Sequence, residues 1–115
     1  MVKITIEPAP SFPNLKIIMI KGSIDAVTYK QVDKKVFSVM EQEESNIIFD
    51  LSNVHYLSSI GMMSLINYLK FMTDKERLLK FVKPPQHVYN SLEAAGIAGK
   101  LDMHDTIEAA ISSFQ

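Results

Sequence analysis

Two adjacent serines and a nearby glycine, in the order Ser58-Ser59-Ile60-Gly61, are the residues of this chain best placed to do chemistry. They close a stretch that opens with an apolar run, Ile47, Ile48, Phe49 and Leu51. It passes a turn-like Ser52-Asn53 and continues through Val54, Tyr56 and Leu57. An apolar pattern of helical period starts directly afterwards, so a buried strand hands a hydroxyl to the first turn of a helix. Such a turn has unpaired N–H groups and a partial positive charge. A hydroxyl there can cap the helix. It can also carry a phosphate, because the helix end accommodates an anion. Either Ser58 or Ser59 suits the cap.

Nucleophilic catalysis fits these serines poorly. The nucleophile elbow of hydrolases needs glycine two positions to either side of its serine; around Ser59 Gly61 is present, but position 57 is leucine. His55 and Asp50 are conceivable triad partners, yet nothing sets His55 against the Ser59 hydroxyl. Neither a P-loop nor a dinucleotide glycine pattern occurs. His55, His87 and His104 lie far apart without ligand spacing. The chain has no cysteine, which excludes disulfides, thiolate metal sites and thiol nucleophiles. The expectation is a protein that is not an enzyme and uses neither cofactor nor metal.

The elements that must position the serines follow from periodicity. Val2, Ile4 and Ile6 alternate with Lys3, Thr5 and Glu7, the pattern of a half-buried strand. Pro8, Pro10 and Pro13, with Ser11 and Asn14, predict a loop. Leu15 to Ile20 reads as a second strand covered on both faces, closed by Gly22, and the two strands can form a hairpin. Thr28 with Gln31 fits a capping box ahead of a helix whose apolar stripe is Tyr29, Val32, Val36, Val39 and Met40. Lys30, Lys34 and Lys35 take its solvated face. The Ile47–Leu51 strand follows, giving a crossover and hence a parallel pair. Met62, Leu65, Ile66, Leu69 and Met72 mark a helix from about Gly61 to Asp74. Leu78 to Val82 predicts a strand ended by Pro84-Pro85, and His87 to Ala95 a helix stopped by Gly96. Lys100 to Met103 predicts a short edge strand. Asp105 or Thr106 then caps a last helix carrying Ile107, Ala110, Ile111 and Phe114.

The 115 residues suffice for one compact domain, expected to span 1–115. With 47% hydrophobic and 22% charged residues the composition is globular. A net charge of −1 provides no basic footprint for nucleic acid. No window approaches the roughly 20 apolar residues of a membrane span, and the N-terminus lacks a long apolar signal segment. No membrane insertion and a cytoplasmic location are therefore expected. The fold class expected is α/β: about four or five strands in a mixed, mostly parallel sheet, with about four helices packed mainly on one side. The other face is left partly exposed or covered by the first strand.

In this order the motifs resemble a STAS domain, the family named for sulphate transporters and anti-sigma factor antagonists. The resemblance is carried by Gly22-Ser23-Ile24-Asp25, by Asp50-Leu51-Ser52 with Val54, and by Tyr56-Leu57-Ser58-Ser59-Ile60-Gly61. Near the end, Leu92 to Gly96 and Thr106-Ile107-Glu108-Ala109-Ala110 match the closing helices. It implies a stand-alone bacterial anti-sigma factor antagonist: a regulatory module that binds an anti-sigma factor, itself a serine kinase, and is released when that kinase phosphorylates it. Aligned on Gly61, the phosphoacceptor is Ser59, with Ser58 as the alternative. The implied partner surface comprises Asp25, Ser58, Ser59, Ile60, Gly61, Met62 and Met63, and a serine phosphatase is a further implied partner.

Ser58 stands where the antagonists commonly carry aspartate, and Ile60 where a second hydroxyl residue often follows. Met62 and Met63 replace a frequent leucine and glycine. The alternative reading is an adaptor subunit of a transporter or stressosome-like assembly, with Ser59 only a cap.

Four of the residues named above also have plain structural readings. Asp25 suits a turn, where its carboxylate takes nearby N–H groups, and Asp50 suits the corner to Asn53. Met62 and Met63 are adjacent, so a helix buries one and leaves the other partly exposed.

Overall fold

The computed structural model describes residues 2–114. In chain order the elements are β1 (Val2–Ala9), β2 (Phe12–Ile24), α1 (Tyr29–Gln42), β3 (Asn46–Asp50), β4 (Val54–Leu57), α2 (Ser59–Asp74), β5 (Leu79–Val82), α3 (Gln86–Ala94), a 3-10 turn (Ala98–Lys100), β6 (Met103–His104) and α4 (Ile107–Ser112). The sheet has six strands, ordered β1-β2-β3-β5-β6, with β4 paired to β2 off that path. Among the described residues only the β1–β2 hairpin is antiparallel; the other pairings are parallel.

The long strand β2 organises the site. Its first half pairs with β3 from Leu15↔Asn46 to Met19↔Asp50, and its second half pairs with β4 from Gly22↔Val54 to Ile24↔Leu57. Between them the chain leaves the sheet through a turn pinned by Asp50, whose Oδ1 accepts from the Ser52 N–H at 3.0 Å and the Ser52 hydroxyl at 2.6 Å. The predicted turn role of Asp50 holds. β4 is the strand the periodicity did not separate, because Val54 to Leu57 is too short to show alternation.

Two further expectations are corrected. The proline segment is not a loop: β1 runs to Ala9, and only Pro10-Ser11 turns before β2 starts. Pro8 is tolerated because it sits on the sheet edge at a register shift, where no ladder needs its missing N–H. Gly22 does not end its strand. It lies inside β2 at φ 115, where the register against β4 slips and the strand bends toward Ile24.

Both faces of the sheet are covered, unequally. Ile18, Ile20, Phe49 and Phe81 face α1, α2 and α3, meeting Val36, Tyr68 and Leu92. Phe49 stacks between Tyr68 and Phe81, at 5.3 and 5.8 Å between ring centroids. On the opposite face Leu15, Ile17, Ile48 and Val82 pack with Ala110 of α4. That face is thus covered by the last helix, while β1 stays at the edge. Thr106 caps α4 by accepting from the Ala109 N–H at 3.0 Å.

Candidate functional site

Two loops converge on the last residue of β2. From β4, Ser58 donates its N–H to the Ile24 carbonyl at 3.0 Å and accepts from the Gly61 N–H at 3.2 Å, while its own carbonyl receives the Met62 N–H at 2.9 Å. Ser58 is therefore the N-cap of α2. Gly61 completes the junction: a Cβ there would lie 2.3 Å from the Ile24 carbonyl oxygen, so the helix packs directly on strand backbone. The Ser58 cap leaves the Ser59 hydroxyl free. Ser59 is the first helical residue and is exposed. The two serines, interchangeable as caps by sequence, are thus distinguished: one is held in the junction, the other faces solvent.

The second loop, residues 25–28, starts α1. Asp25 Oδ1 accepts from the Val27 N–H at 2.9 Å and the Thr28 N–H at 3.1 Å. These backbone donors, Val27 first, hold its carboxyl below the ordinary carboxylate value. The turn reading of Asp25 is correct. The capping box at Thr28 is not: its backbone is already helical and its side chain makes no cap bond. The Thr28 hydroxyl instead donates to the Ser23 carbonyl at 2.7 Å and receives the Asp25 N–H at 3.1 Å. The loop satisfies itself internally, which displaces the local cap.

The surface at this end is apolar around the free hydroxyl. Ile60 is 40% exposed and Met63 51%, with Val27 and Tyr56 exposed on the neighbouring loop and strand. Met62 is half-buried against the core and Met63 is exposed, so the adjacent methionines divide, but neither is fully buried as expected, because Met62 sits in the first turn of α2 at the rim of the core. A groove of about 370 Å³ runs between α1 and α2, lined by Tyr29, Asp33, Ser59, Ile60, Met63, Ser64 and Asn67. Beneath it the buried Tyr68 hydroxyl donates to Asp33 Oδ1, joining the two helices. Burial first, then the Asp33 carboxylate, push the Tyr68 phenol far above its ordinary value, so it stays a neutral donor. Sequence reasoning missed Tyr29, Asp33 and Asn67. Asp33 sits between the core residues Val32 and Val36, and no local pattern marks it.

The other candidates lie elsewhere. His87 reaches the His55 carbonyl, with Nε2 2.7 Å from it, and so ties α3 to β4. His104 pairs with Asp102 at 3.0 Å. No group of side chains among the described residues could hold a metal ion, and no described helix is long and apolar enough to cross a membrane.

The family model for the STAS domain matches residues 8–110. No curated protein matches the chain. Among solved structures, an anti-sigma factor antagonist from Mycobacterium paratuberculosis is similar at 18% identity and a TM-score of 0.86, with 98% of this chain and 93% of that one covered. The Bacillus cell fate determinant SpoIIAA in its phosphorylated form is similar at 16% identity and a TM-score of 0.73, over 98% and 100% of the chains. A sulfate transporter family protein from Wolinella succinogenes is similar at 19% identity and a TM-score of 0.75, over 93% and 88%. At these identities the likeness is one of fold.

Proposed function

The chain belongs to the STAS domain family, and from that premise we propose that residues 1–115 work as a single cytoplasmic regulatory module, an anti-sigma factor antagonist without catalytic activity. Unphosphorylated, it binds an anti-sigma factor that is also a serine kinase. Phosphorylation of Ser59 releases it, and a serine phosphatase resets it. The observation that carries this reading is the exposed Ser59 hydroxyl at the first turn of α2, free of the capping role, beside exposed Ile60 and Met63. The similar SpoIIAA structure is of a phosphorylated form.

The physics favours disruption over refolding. A phosphate on Ser59 adds about −1.5 to −2 charges. The start of α2 returns about 0.3–1 kcal/mol, up to ~2 in a favourable site, so the free protein tolerates the modification. A partner packed over Ile60 and Met63 would have to desolvate that dianion, or meet it with like charge, at a cost of several kcal/mol.

The test is to incubate the protein with ATP and the anti-sigma kinases of its source organism, read intact mass, and measure binding of Ser59→Asp. Phosphate on Ser59 but not in Ser59→Ala, with lost binding by Ser59→Asp, is expected. Absence of phosphate together with unchanged binding by Ser59→Asp would refute the switch. Capture of a transporter ATPase or a large scaffold in place of a kinase would assign the chain to an adaptor role.

A further inference from the structure

The free edge of β1 carries a pattern suited to one occupant. Backbone parity fixes which groups it offers. The Ile47 and Leu51 N–H groups bond to the residue just before β5 and to the last residue of β5, at the Leu78 and Val82 carbonyls. Ile48 and Asp50 therefore turn their backbone to β2, and with the register Ile17↔Ile48 the β2 groups that meet β3 belong to Lys16, Ile18 and Ile20. The Gly22 N–H, bonded to Asn53, points to that same side. Ile17, Met19 and Lys21 are left to bond β1 at Glu7, Thr5 and Lys3. The outward N–H and C=O groups of β1 are thus those of Val2, Ile4 and Ile6, and Pro8, which has no N–H, falls on the same outward side.

Three further features lie on this edge. Ile4 and Ile6 are only half-buried, and a groove of about 380 Å³ beside Ile4 separates the edge from Lys34, Lys35 and Gln31 of α1. On the other face, Lys3 lies directly opposite Lys21, a like-charge neighbour across the ladder. Neither lysine, nor Glu7, has an ion-pair partner among the described residues.

We propose that β1 pairs antiparallel with β1 of a second copy of this chain, with Thr5 facing Thr5. In this register Ile4 and the second copy's Ile6 exchange backbone bonds, and the Val2 N–H meets the second copy's Pro8 carbonyl, while the Val2 carbonyl, opposite a proline without an N–H, is left to water at the end of the ladder. Lys3 stands opposite the second copy's Glu7 in a non-hydrogen-bonded pair, the closer of the two geometries. The two-fold axis makes this contact twice. Shifting the register by two residues either way loses both ion pairs. Ile4 and Ile6 of the second copy cover the groove beside α1. Lys34 and Lys35 of both helices approach on that face and turn their ammonium groups to solvent; their repulsion keeps the dimer weak and concentration-dependent.

Sedimentation equilibrium across the micromolar to millimolar range tests this. The wild type should show a monomer–dimer equilibrium. Lys3→Glu and Glu7→Lys, each alone, should weaken it by about tenfold, since both symmetric pairs become repulsive. An equimolar mixture of the two variants should restore association as a heterodimer. Ile4→Pro, which removes an outward N–H and no hairpin bond, should dissociate the dimer while far-UV circular dichroism stays native. A wild type that is monomeric throughout, a dimer indifferent to both charge reversals, or a mixture that fails to associate would overturn the proposal. The assay needs neither kinase nor Ser59, so its outcome is independent of the proposed switch.

Discussion

Gly61→Ala is the sharpest test of how the site is built. In an ordinary helix this change is favourable by about 0.8–1 kcal/mol, because alanine loses less backbone entropy and forms helix well. Here the new methyl would lie 2.3 Å from the Ile24 oxygen, 3.1 Å from its carbon and 3.2 Å from its Cβ. The contact is with strand backbone that β4 and Ser58 already hold, so the helix must give way. Reaching normal contact requires a retreat of about 1 Å. That motion stretches the Ser58 N–H bond to Ile24, now 3.0 Å.

Overpacking of this kind costs about 1–3 kcal/mol, and a weakened hydrogen bond about 0.5–1.5 kcal/mol. After the helix-propensity gain the net loss is about 1–3 kcal/mol. In a domain of this size that lowers Tm by about 4–12 °C. Thermal and urea unfolding followed by circular dichroism measure it directly. Gly99→Ala is the control, since a Cβ there meets nothing within 4 Å, and it should be neutral or slightly stabilising. If Gly61→Ala matches or exceeds wild-type stability, the close approach of α2 to β2 is wrong, and so is the account of how Ser59 is presented.

Other perturbations separate the remaining contributions. Ser58→Ala should cost about 1 kcal/mol through loss of the α2 cap, while Ser59→Ala should leave unfolding unchanged; equal effects in a urea titration would contradict the division of roles. Tyr68→Phe should destabilise by about 1–1.5 kcal/mol by removing the donor to Asp33, measured the same way. Arg77→Met should cost about 2 kcal/mol, because its guanidinium serves the Met40 carbonyl at 2.7 Å, and the Glu43 carbonyl too, at the end of α1. Asp25 and Asp102 both have carboxyls lowered from 3.8, Asp25 chiefly by the Val27 N–H and Asp102 chiefly by Lys80. Depressed carboxyls contribute stability that is present above the unfolded value and lost as pH falls through the folded values. Unfolding midpoints should therefore drop below about pH 3.8, with a flatter acid limb in Asp25→Asn.

What the sequence disclosed and what it hid follow from how local each signal is. The amphipathic stripes of α1 and α2 and the apolar run of β3 are set within a dozen residues, and they appeared with nearly correct bounds. The junction at Ile24 joins residues 34 apart in the chain, so the choice of Ser58 over Ser59 as the cap could not be read locally. The same holds for Thr28, whose hydroxyl left the cap for Ser23. β4 was hidden because its partner is the far end of β2, beyond a bulge at Gly22. Asp33 enters the groove only because α2 lies across α1, a placement no periodicity reports.

The division between the two serines has a consequence for any switch built here. Were Ser59 itself the cap, phosphorylating it would remove the bond to the Gly61 N–H and loosen α2 while also altering the surface. A partner would then sense a change in fold and in charge together. With Ser58 holding the cap, the junction with Ile24 stays intact whatever Ser59 carries, and the modification acts through charge and bulk alone. Hydrogen exchange can distinguish these cases. Protection of the Gly61 and Met62 amides should be the same in the Ser59→Asp protein and the wild type. Protection lost at those amides would show that the first turn of α2 opens, and would place the switch in the fold rather than on its surface.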